Sequence, residues 1–261
     1  MTDSPPGVED EQTAFERRHS VLAHGYGGRD DPPDPGDVLA MPVVLHIPKA
    51  TPPPRSSVLA AAAAAAVAVC LDERAGPGGE WEDAVRAWTG ARIRKVARRA
   101  RGAHWEATQH LPGVTVAVGD AQARALVPGR VAELDSRIKR LQIGGTDLRQ
   151  DDPPPPAAGA PVLWIDSGLK MTVGKAAAQV GHAAMILAGA MTVERCRAWA
   201  STGYSCSVRD ADPQQWEHAR ELVRNGWAVA VRDAGFTEVA PGSMTVIAVA
   251  EPSGASEEPP S

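Results

Sequence analysis

The sequence predicts an α/β fold of two similar small domains, each a mixed β-sheet flanked by helices on both faces. Three observations support this prediction. An apolar run, Pro161 to Ile165, is followed by a glycine-containing turn and an alanine-rich stretch, which is the order strand, turn, helix. Residues 227–249 contain two β-rich runs joined by polar, glycine- and proline-containing residues. Similar segments occur in the same order within residues 41–149.

Composition divides the chain. Residues 1–40 are acidic and rich in Pro, Gly and Asp, without a periodic apolar pattern, and four consecutive prolines, Pro153 to Pro156, are typical of an extended spacer. At 261 residues there is room for two small domains beside these segments. The expected division is a disordered acidic tail (1–40), a first domain (41–149), a Pro-rich linker (150–160), a second domain (161–252) and a disordered tail (253–261).

Several protein classes are excluded by composition. Three scattered cysteines favour neither a disulfide framework nor a zinc site. The longest apolar run, Val58 to Leu71, is half alanine and shorter than the roughly 20 residues of a membrane span. The first 20 residues lack the charged-then-apolar order of a signal peptide. We therefore expect a soluble, cytoplasmic protein without a membrane partner.

The helix after Ile165 carries a row of polar side chains. On a 3.6-residue period Lys175, Ala178, Gln179 and His182 share one face of an otherwise apolar helix. The N-termini of helices in α/β units commonly carry catalytic or ligand-binding groups. The alternative is that these polar groups are solvated or satisfied locally, and the helix alone does not decide between the two.

Two motifs resemble the type 2 (archaeal and eukaryotic-type) peptidyl-tRNA hydrolase family. The first motif is matched by Leu169, Met171, Gly174, Lys175, Ala177, Gln179, His182 and Ala183. The second is matched by Arg232, Asp233, Ala234, Gly235, Thr237, Pro241, Gly242 and Thr245. The resemblance covers residues 161–252, about a third of the chain, and implies a small α/β hydrolase domain.

The resemblance implies hydrolysis of the ester between a peptide and the terminal ribose of tRNA, with peptidyl-tRNA as the partner. Such a reaction needs a positioned water and a donor for the developing oxyanion. The family pattern assigns catalysis to Lys175, Asp233, Thr237 and Thr245. Substrate binding or support is expected of Gln179, His182 and Gly235, although for His182 a packing role is equally open. No metal or organic cofactor is implied, because the lone histidine has no nearby ligand partners.

Three positions depart from the family pattern in the direction of less positive charge. Val173 replaces a basic residue, Asp166-Ser167-Gly168 replaces Arg-Thr-Asp, and Glu238 replaces glutamine. Because the substrate is anionic, these changes bear on tRNA affinity. They keep two alternatives open: a non-catalytic tRNA- or RNP-binding protein that retains the fold, and a hydrolase of a different ester or amide.

The first domain resembles a degenerate copy of the second. Val44 to Ile47 parallels Val162 to Ile165 at an offset of 118, which places Ser57, Ala61 and Ala64 where the second domain has Lys175, Gln179 and His182. A second parallel at an offset of 113 aligns Asp120 with Asp233, and aligns Gln122, Arg124 and Ala132 with Gly235, Thr237 and Thr245. We expect a tandem duplication whose first copy lacks chemistry and pairs with the second as an intrachain pseudo-dimer.

Positive charge is concentrated in the first domain. Residues 41–149 carry 16 basic and 10 acidic side chains, whereas residues 1–40 carry 3 basic and 9 acidic ones. A cluster within this domain is expected to contact the tRNA backbone through Arg92, Arg94, Lys95, Arg98, Arg99 and Arg101. The alternative is a solvated face that contacts the acidic segment of the same chain.

Overall fold

The computed structural model describes residues 6–27, 30–235 and 237–250, and it confirms a mixed α/β fold with two sheets. The first half, up to residue 149, comprises α1 (Pro6–Ala23), β1 (Leu39–His46), α2 (Arg55–Leu71), α3 (Glu82–Thr89), β2 (Arg94–Ala100), α4 (Ala103–Thr108), β3 (Gly113–Val118), β4 (Ala121–Leu126), β5 (Gly129–Arg130) and α5 (Ser136–Lys139). The second half, from residue 161, comprises β6 (Val162–Asp166), α6 (Val173–Ala190), α7 (Val193–Ser201), β7 (Ser207–Ala211), α8 (Pro213–Arg224), β8 (Ala228–Arg232) and β9 (Met244–Val249).

The two sheets have the same strand order. The first runs β2-β1-β4-β3, with the short β5 beside β1, and the second runs β7-β6-β9-β8. In each sheet the first pair is parallel and the next two pairs are antiparallel. A helix connects each parallel pair, as a parallel crossover requires.

Alternation along the strands explains why each sheet is covered on both faces. In β9, Val246 and Ala248 pack in the central core with α6, whereas Ile247 and Val249 pack with α8 on the opposite face. Successive side chains of a strand point to opposite faces, so one strand supplies both layers. The first sheet repeats this arrangement, with α2 on one face and a smaller cluster that includes Trp105 and Ile138 on the other.

The two halves share one hydrophobic core, at the packing of α2 against α6. Small side chains allow this contact. The consecutive alanines Ala60 to Ala66 of α2 are all buried, and a Cβ added at Gly181 of α6 would lie 3.1 Å from the Cβ of Ala66. Because the helices approach so closely, the halves form a continuous interior.

The expected disorder of residues 1–40 is wrong for most of that segment. Residues 6–23 form α1, which buries Phe15 and Leu22 in the shared core. His19 Nε2 lies 2.9 Å from the carbonyl oxygen of Ala188 at the end of α6. Docking on α6 and α7 stabilises a helix whose own apolar pattern is too weak to indicate one. Residues 1–5, 28 and 29 lie outside the described residues, as does the expected tail, 253–261.

The segment 150–160 contains neither helix nor strand, and its start is held against the first half. Asp151 accepts hydrogen bonds from the backbone N–H (2.9 Å) and the hydroxyl (2.5 Å) of Ser56 at the start of α2. Arg209 of β7 donates to the carbonyl oxygen of Pro154. The chain therefore crosses between the halves along a fixed path.

Strand pairing corrects part of the expected equivalence between the halves. Ala121 pairs with Val118 directly after the turn Gly119-Asp120, whereas the corresponding pair in the second sheet, Val231 with Val246, encloses residues 232–245. The alignment of the two halves at an offset of 113 therefore holds only as far as the ends of β3 and β8. Gly235 and Thr237 lie in the loop 233–243, where the first half has only a two-residue turn, and Thr245 lies at the start of β9, just before the residue that corresponds to Ala121; Gln122, Arg124 and Ala132 are therefore not their counterparts.

Candidate active site

The first turn of α6 positions Lys175. Thr172 caps the helix, with its Oγ1 accepting from the backbone N–H of Lys175 at 3.2 Å. The preceding residues, Ser167–Leu169, form a 3₁₀ turn, and Lys170 adopts a left-handed conformation with φ of 47°. This compact turn brings the chain from the end of β6 to the start of α6.

Asp233 follows β8 directly and meets Lys175. Lys175 Nζ donates to Asp233 Oδ2 at 2.6 Å and to Thr237 Oγ1 at 3.2 Å. The side chains of Lys175 and Asp233 are only 9% and 8% exposed, so the pair is not a surface salt bridge. In a largely desolvated setting such a pair interacts more strongly than at the surface.

Gln179 and Thr245 form the layer behind this pair. Gln179 Nε2 donates to Asp233 Oδ2 at 2.9 Å, and Gln179 Oε1 accepts from Thr245 Oγ1 at 2.5 Å. Thr245 is fully buried, and its hydroxyl is directed to Gln179 and the carbonyl oxygen of Val231. The network therefore runs from Lys175 through Asp233 and Gln179 to Thr245, and both ends of the amide are satisfied.

Gly235 shapes the loop that carries Asp233. Its backbone N–H donates to Asp233 Oδ1 at 2.8 Å, and its φ is +81°. A Cβ at Gly235 would lie 2.3 Å from Cγ of Pro241, which excludes any other residue without movement of the loop. The loop closes where Asp233 N donates to Ser243 O at 2.9 Å and Gly242 N donates to Asp233 O at 2.7 Å.

A cavity of about 720 Å³ opens beside the network. The second half contributes its predicted site residues Lys175, Gln179, His182, Asp233 and Thr237 to the lining. Gly235 and Thr245 are absent from the lining, so they act on the shape of the site rather than at its surface. The opposite wall comes from the first half, including Tyr26, residues 92–97 and Ile143.

Lys95 of β2 reaches His182 from the first half. Lys95 Nζ lies 2.9 Å from His182 Nδ1 and 4.9 Å from the ring centroid of Trp88. Burial lowers the pKa of Lys95 to about 7. Burial, with the nearby ammonium groups of Lys95 and Lys175, holds the pKa of His182 well below its usual range. His182 is therefore neutral, and its Nδ1 accepts a hydrogen bond from the Lys95 Nζ.

Arg92 and Arg94 lie at the same cavity and contact an acidic residue from the segment before β1. Arg94 forms a bidentate ion pair with Asp31, in which Nη1 donates to Oδ1 at 2.6 Å and Nη2 donates to Oδ2 at 2.8 Å. Arg92 Nη1 lies 3.4 Å from Asp31 Oδ2. The hydrogen bond from Arg94 keeps the pKa of Asp31 below its usual range. Contact between the basic cluster and the acidic segment is thus present in the fold.

The remaining cations of the cluster lie farther along β2. Arg98 donates to the carbonyl oxygen of Leu141 at 2.8 Å, and Arg99 donates to the carbonyl oxygen of Gly145 at 2.6 Å. Arg101 is exposed after the end of β2. None of these three lines the cavity.

The three departures from the family pattern have different local settings. Val173 is buried at the first position of α6, and Asp166 accepts from the backbone N–H of Gly168. Glu238 lines the cavity, and its carboxylate accepts from the backbone N–H (3.0 Å) and the hydroxyl (2.9 Å) of Thr172. Of the three, only Glu238 places negative charge at the cavity.

Sequence reasoning missed several lining residues. Ile186 continues the helical face of Gln179 and His182 one turn further, so the 3.6-residue period could have indicated it. Tyr26 and Ile143 carry no such signal, because tertiary packing alone brings them to the cavity. Thr146 likewise approaches α6 only in the fold, where its hydroxyl accepts from the backbone N–H of Gly174 at 3.1 Å.

Fold and site define an α/β protein with a hydrolase-type network of ammonium, carboxylate and hydroxyl groups at a cavity wall. Residues 161–256 match the family described as peptidyl-tRNA hydrolase PTH2. A curated peptidyl-tRNA hydrolase of Thermococcus onnurineus (strain NA1) is 34% identical over 94 residues, which are 34% of this chain and 80% of that relative. No solved structure matches the chain significantly. The chain belongs to the peptidyl-tRNA hydrolase PTH2 family.

Two kinds of feature are not found among the residues that the structure describes. In the part of the chain that the structure describes, no helix is long and apolar enough to cross a membrane. Within the same residues no cluster of three His, Cys, Asp or Glu side chains could hold a metal ion.

Proposed function

We propose that this protein is a cytoplasmic peptidyl-tRNA hydrolase that cleaves the ester between peptide and tRNA at the site in its second half. The observation that carries the assignment is the nearly buried Lys175–Asp233 pair, 2.6 Å apart, at the wall of the cavity. The pair lies within the family-matched region, residues 161–256. Its neighbours are the hydroxyl of Thr237 and the amide of Gln179.

The geometry supports different catalytic roles for Asp233, Lys175 and Thr237. Asp233 Oδ2 already accepts from Lys175 and Gln179, whereas Oδ1 accepts from the Gly235 N–H and retains capacity to orient a water. The water oxygen bonds to the ester carbonyl carbon, the bond from that carbon to the ribose oxygen breaks, and a proton passes to the ribose oxygen. Lys175 and Thr237 stabilise the charge that develops on the carbonyl oxygen.

Gln179, Thr245 and Gly235 position these groups. Gln179 orients Asp233 while its own carbonyl is fixed by Thr245, and Gly235 lets the loop turn beneath the carboxylate. His182 lines the cavity one turn further along α6 and serves substrate binding.

The first half is a degenerate copy of the second. Supporting this, the two sheets share strand order and direction, and α2 starts at Arg55, which lies 118 residues before the first residue of α6, Val173. The copy lacks the loop between β8 and β9, and with it a counterpart of the catalytic network. Packing of α2 against α6 then makes the chain a pseudo-dimer of its two copies.

The first half also supplies positive surface for tRNA. We propose backbone contact through the basic cluster, in which Arg92 is half-exposed and Arg101 is exposed. The cluster consists of Arg92, Arg94, Lys95, Arg98, Arg99 and Arg101. Each phosphate contact adds a salt-dependent contribution to affinity.

The test is release of peptide from an N-blocked aminoacyl-tRNA. We expect turnover by the wild type and a loss of at least about 100-fold in Lys175→Ala and Asp233→Ala. Asp120→Ala is the matched control, since Asp120 lies exposed in the β3–β4 turn, and it should keep wild-type activity. A wild type that binds tRNA without releasing peptide would reject the enzymatic assignment in favour of a binding role.

A further inference from the structure

Lys95 is a buried lysine without an acidic partner in the described residues, and because burial lowers its pKa to about 7 it is only partly charged near neutral pH. It is 9% exposed, and neither its hydrogen bond to His182 nor its contact with the Trp88 ring supplies negative charge. Lys175, in contrast, is neutralised by Asp233 in the same cavity. Burying an uncompensated charge is costly, so a lysine retained here calls for an explanation.

The groups that face Lys95 are cationic or neutral. His182 on α6 is neutral, and burial raises the pKa of the Cys70 thiol on α2 to about 12, so it carries no charge near neutrality. Lys175 lies close enough to His182 to lower its pKa. A negative charge must therefore come from outside the protein if Lys95 is to be paired.

The fold makes specific room for the Lys95 side chain. A Cβ at Gly181 of α6 would lie 3.1 Å from Cδ and 3.2 Å from Cε of Lys95. The absence of a side chain at Gly181 thus lets a residue of the first half lie across the helix that carries Lys175 and His182. Lys95 also lines the cavity together with these two residues.

We propose that Lys95 forms an anion subsite for the phosphodiester nearest the scissile ester, so that the first half completes the active site. This proposal rests on the proposed function. The substrate ester is attached to the terminal ribose, and the phosphate on the other side of that nucleotide is its nearest fixed negative charge. The Lys175 ammonium serves the ester, and the Lys95 ammonium holds the phosphate.

The subsite differs from general attraction to the tRNA backbone. Arg92 and Arg94 line the same cavity but are paired with Asp31. Arg98, Arg99 and Arg101 lie away from it. Lys95, in contrast, forms a side-chain hydrogen bond to His182 of α6.

The experiment measures binding of a short RNA ending in CCA as a function of salt, for the wild type, Lys95→Gln and Lys95→Met. Glutamine can still donate to His182, so it removes the charge and keeps the positioning. We expect the Kd at low salt to rise about 10-fold, the scale of one charged hydrogen bond. The slope of log Kd against log salt should fall by about 0.7, the contribution of one phosphate on a single strand.

Lys49→Met is the matched control, because Lys49 is exposed in the loop beyond the other end of β1; it should not reproduce the Kd change. A phosphate-free ester, N-acetyl-aminoacyl-adenosine, separates the roles further: Lys95→Gln, which keeps a donor for His182, should lose much less activity on this ester than on N-blocked aminoacyl-tRNA. An unchanged salt slope, or equal losses on both esters, would overturn the subsite and leave Lys95 as support for His182. If the wild type cleaved neither ester, the proposed function would fail while the RNA-binding slopes still decided the role of Lys95.

Discussion

The side-chain amide of Gln179 donates to Asp233 at 2.9 Å from the interior of α6, one turn beyond Lys175. Its carbonyl oxygen is fixed by the hydroxyl of Thr245. Asp233 is therefore held from two positions of one helix, Lys175 and Gln179. Its orientation depends on a residue that performs no bond-making step.

Replacement of Gln179 by leucine should impair turnover more than binding. The change removes one donor from the Asp233 carboxylate and leaves the buried Thr245 hydroxyl without its acceptor, at a cost of about 1–3 kcal/mol. We expect kcat on N-blocked aminoacyl-tRNA to fall about 10-fold or more with KM changed less than about 3-fold. Thr245→Val should give a smaller loss in the same direction, and a pure KM effect in either variant would contradict the positioning role.

The loop after β8 offers a matched pair of glycine substitutions. Gly235 and Gly242 both have φ near +80°, but a Cβ at Gly235 would meet Pro241 at 2.3 Å, whereas a Cβ at Gly242 would meet nothing within 4 Å. Both alanine variants suffer the backbone penalty of about 1–2 kcal/mol. Only Gly235→Ala must also displace the loop that carries Asp233. We expect its kcat to fall at least about 10-fold below that of Gly242→Ala, and equal activities would contradict this account.

Protonation of His182 should make the fold sensitive to acid. Its pKa is held well below the usual range in the folded state, whereas in the unfolded chain it titrates near 6.5. Below about pH 6.5 the unfolded state therefore binds a proton that the folded state does not. The free energy of unfolding then decreases as the pH is lowered, by up to about 1.4 kcal/mol per pH unit. Above about pH 6.5 His182 is neutral in both states, and this loss of stability is absent.

Urea denaturation at pH 7.5 and 5.5 measures this effect. The free energy of unfolding of the wild type should fall more between these values than that of His182→Gln. His218→Gln, at an exposed position of α8, is the control and should follow the wild type. Identical pH dependence of the wild type and His182→Gln would show that His182 is not held neutral.

Docking of α1 can be tested at the end of α6. A Cβ at Gly189 would lie 2.5 Å from the carbonyl oxygen of Leu22, a backbone atom that cannot give way without moving α1. Gly189→Ala should therefore lower the free energy of unfolding by about 1–3 kcal/mol, the usual cost of overpacking, and expose α1 to limited proteolysis. Gly129→Ala, where a Cβ meets nothing within 4 Å, is the control. Equal stability of the two variants would show that α1 does not dock as described.

Local pattern was sufficient to predict the α/β class and the helix that carries Lys175, Gln179 and His182. Their shared face follows from the 3.6-residue period, and strand pairing then places Asp233 beside them. Local pattern was insufficient for α1, whose apolar residues are too few to indicate a helix before Phe15 and Leu22 meet α6 and α7. It also failed at β4, because only strand register reveals that the first half has a two-residue turn where the second half has the loop 233–243.

The cavity shows a second limit of sequence reasoning. Lys95 stood in a run of cations that suggested a uniform surface, yet in the fold it is buried against His182 while Arg92 is half-exposed. Alternation along a strand sends neighbouring residues to opposite faces, but which face meets the other half is a tertiary property. A composite site therefore becomes visible only in the structure.

We propose that Lys175 and Asp233 act as one catalytic unit in the second half. A double-mutant cycle tests it through kcat for peptide release from N-blocked aminoacyl-tRNA, with Lys175→Met, Asp233→Asn and the double variant. We expect each single variant to lose at least about 100-fold and the double variant to lose no more than the worse single one, because groups that act together are not additive. Near-wild-type turnover in a folded single variant, or losses that multiply in the double variant, would contradict the claim.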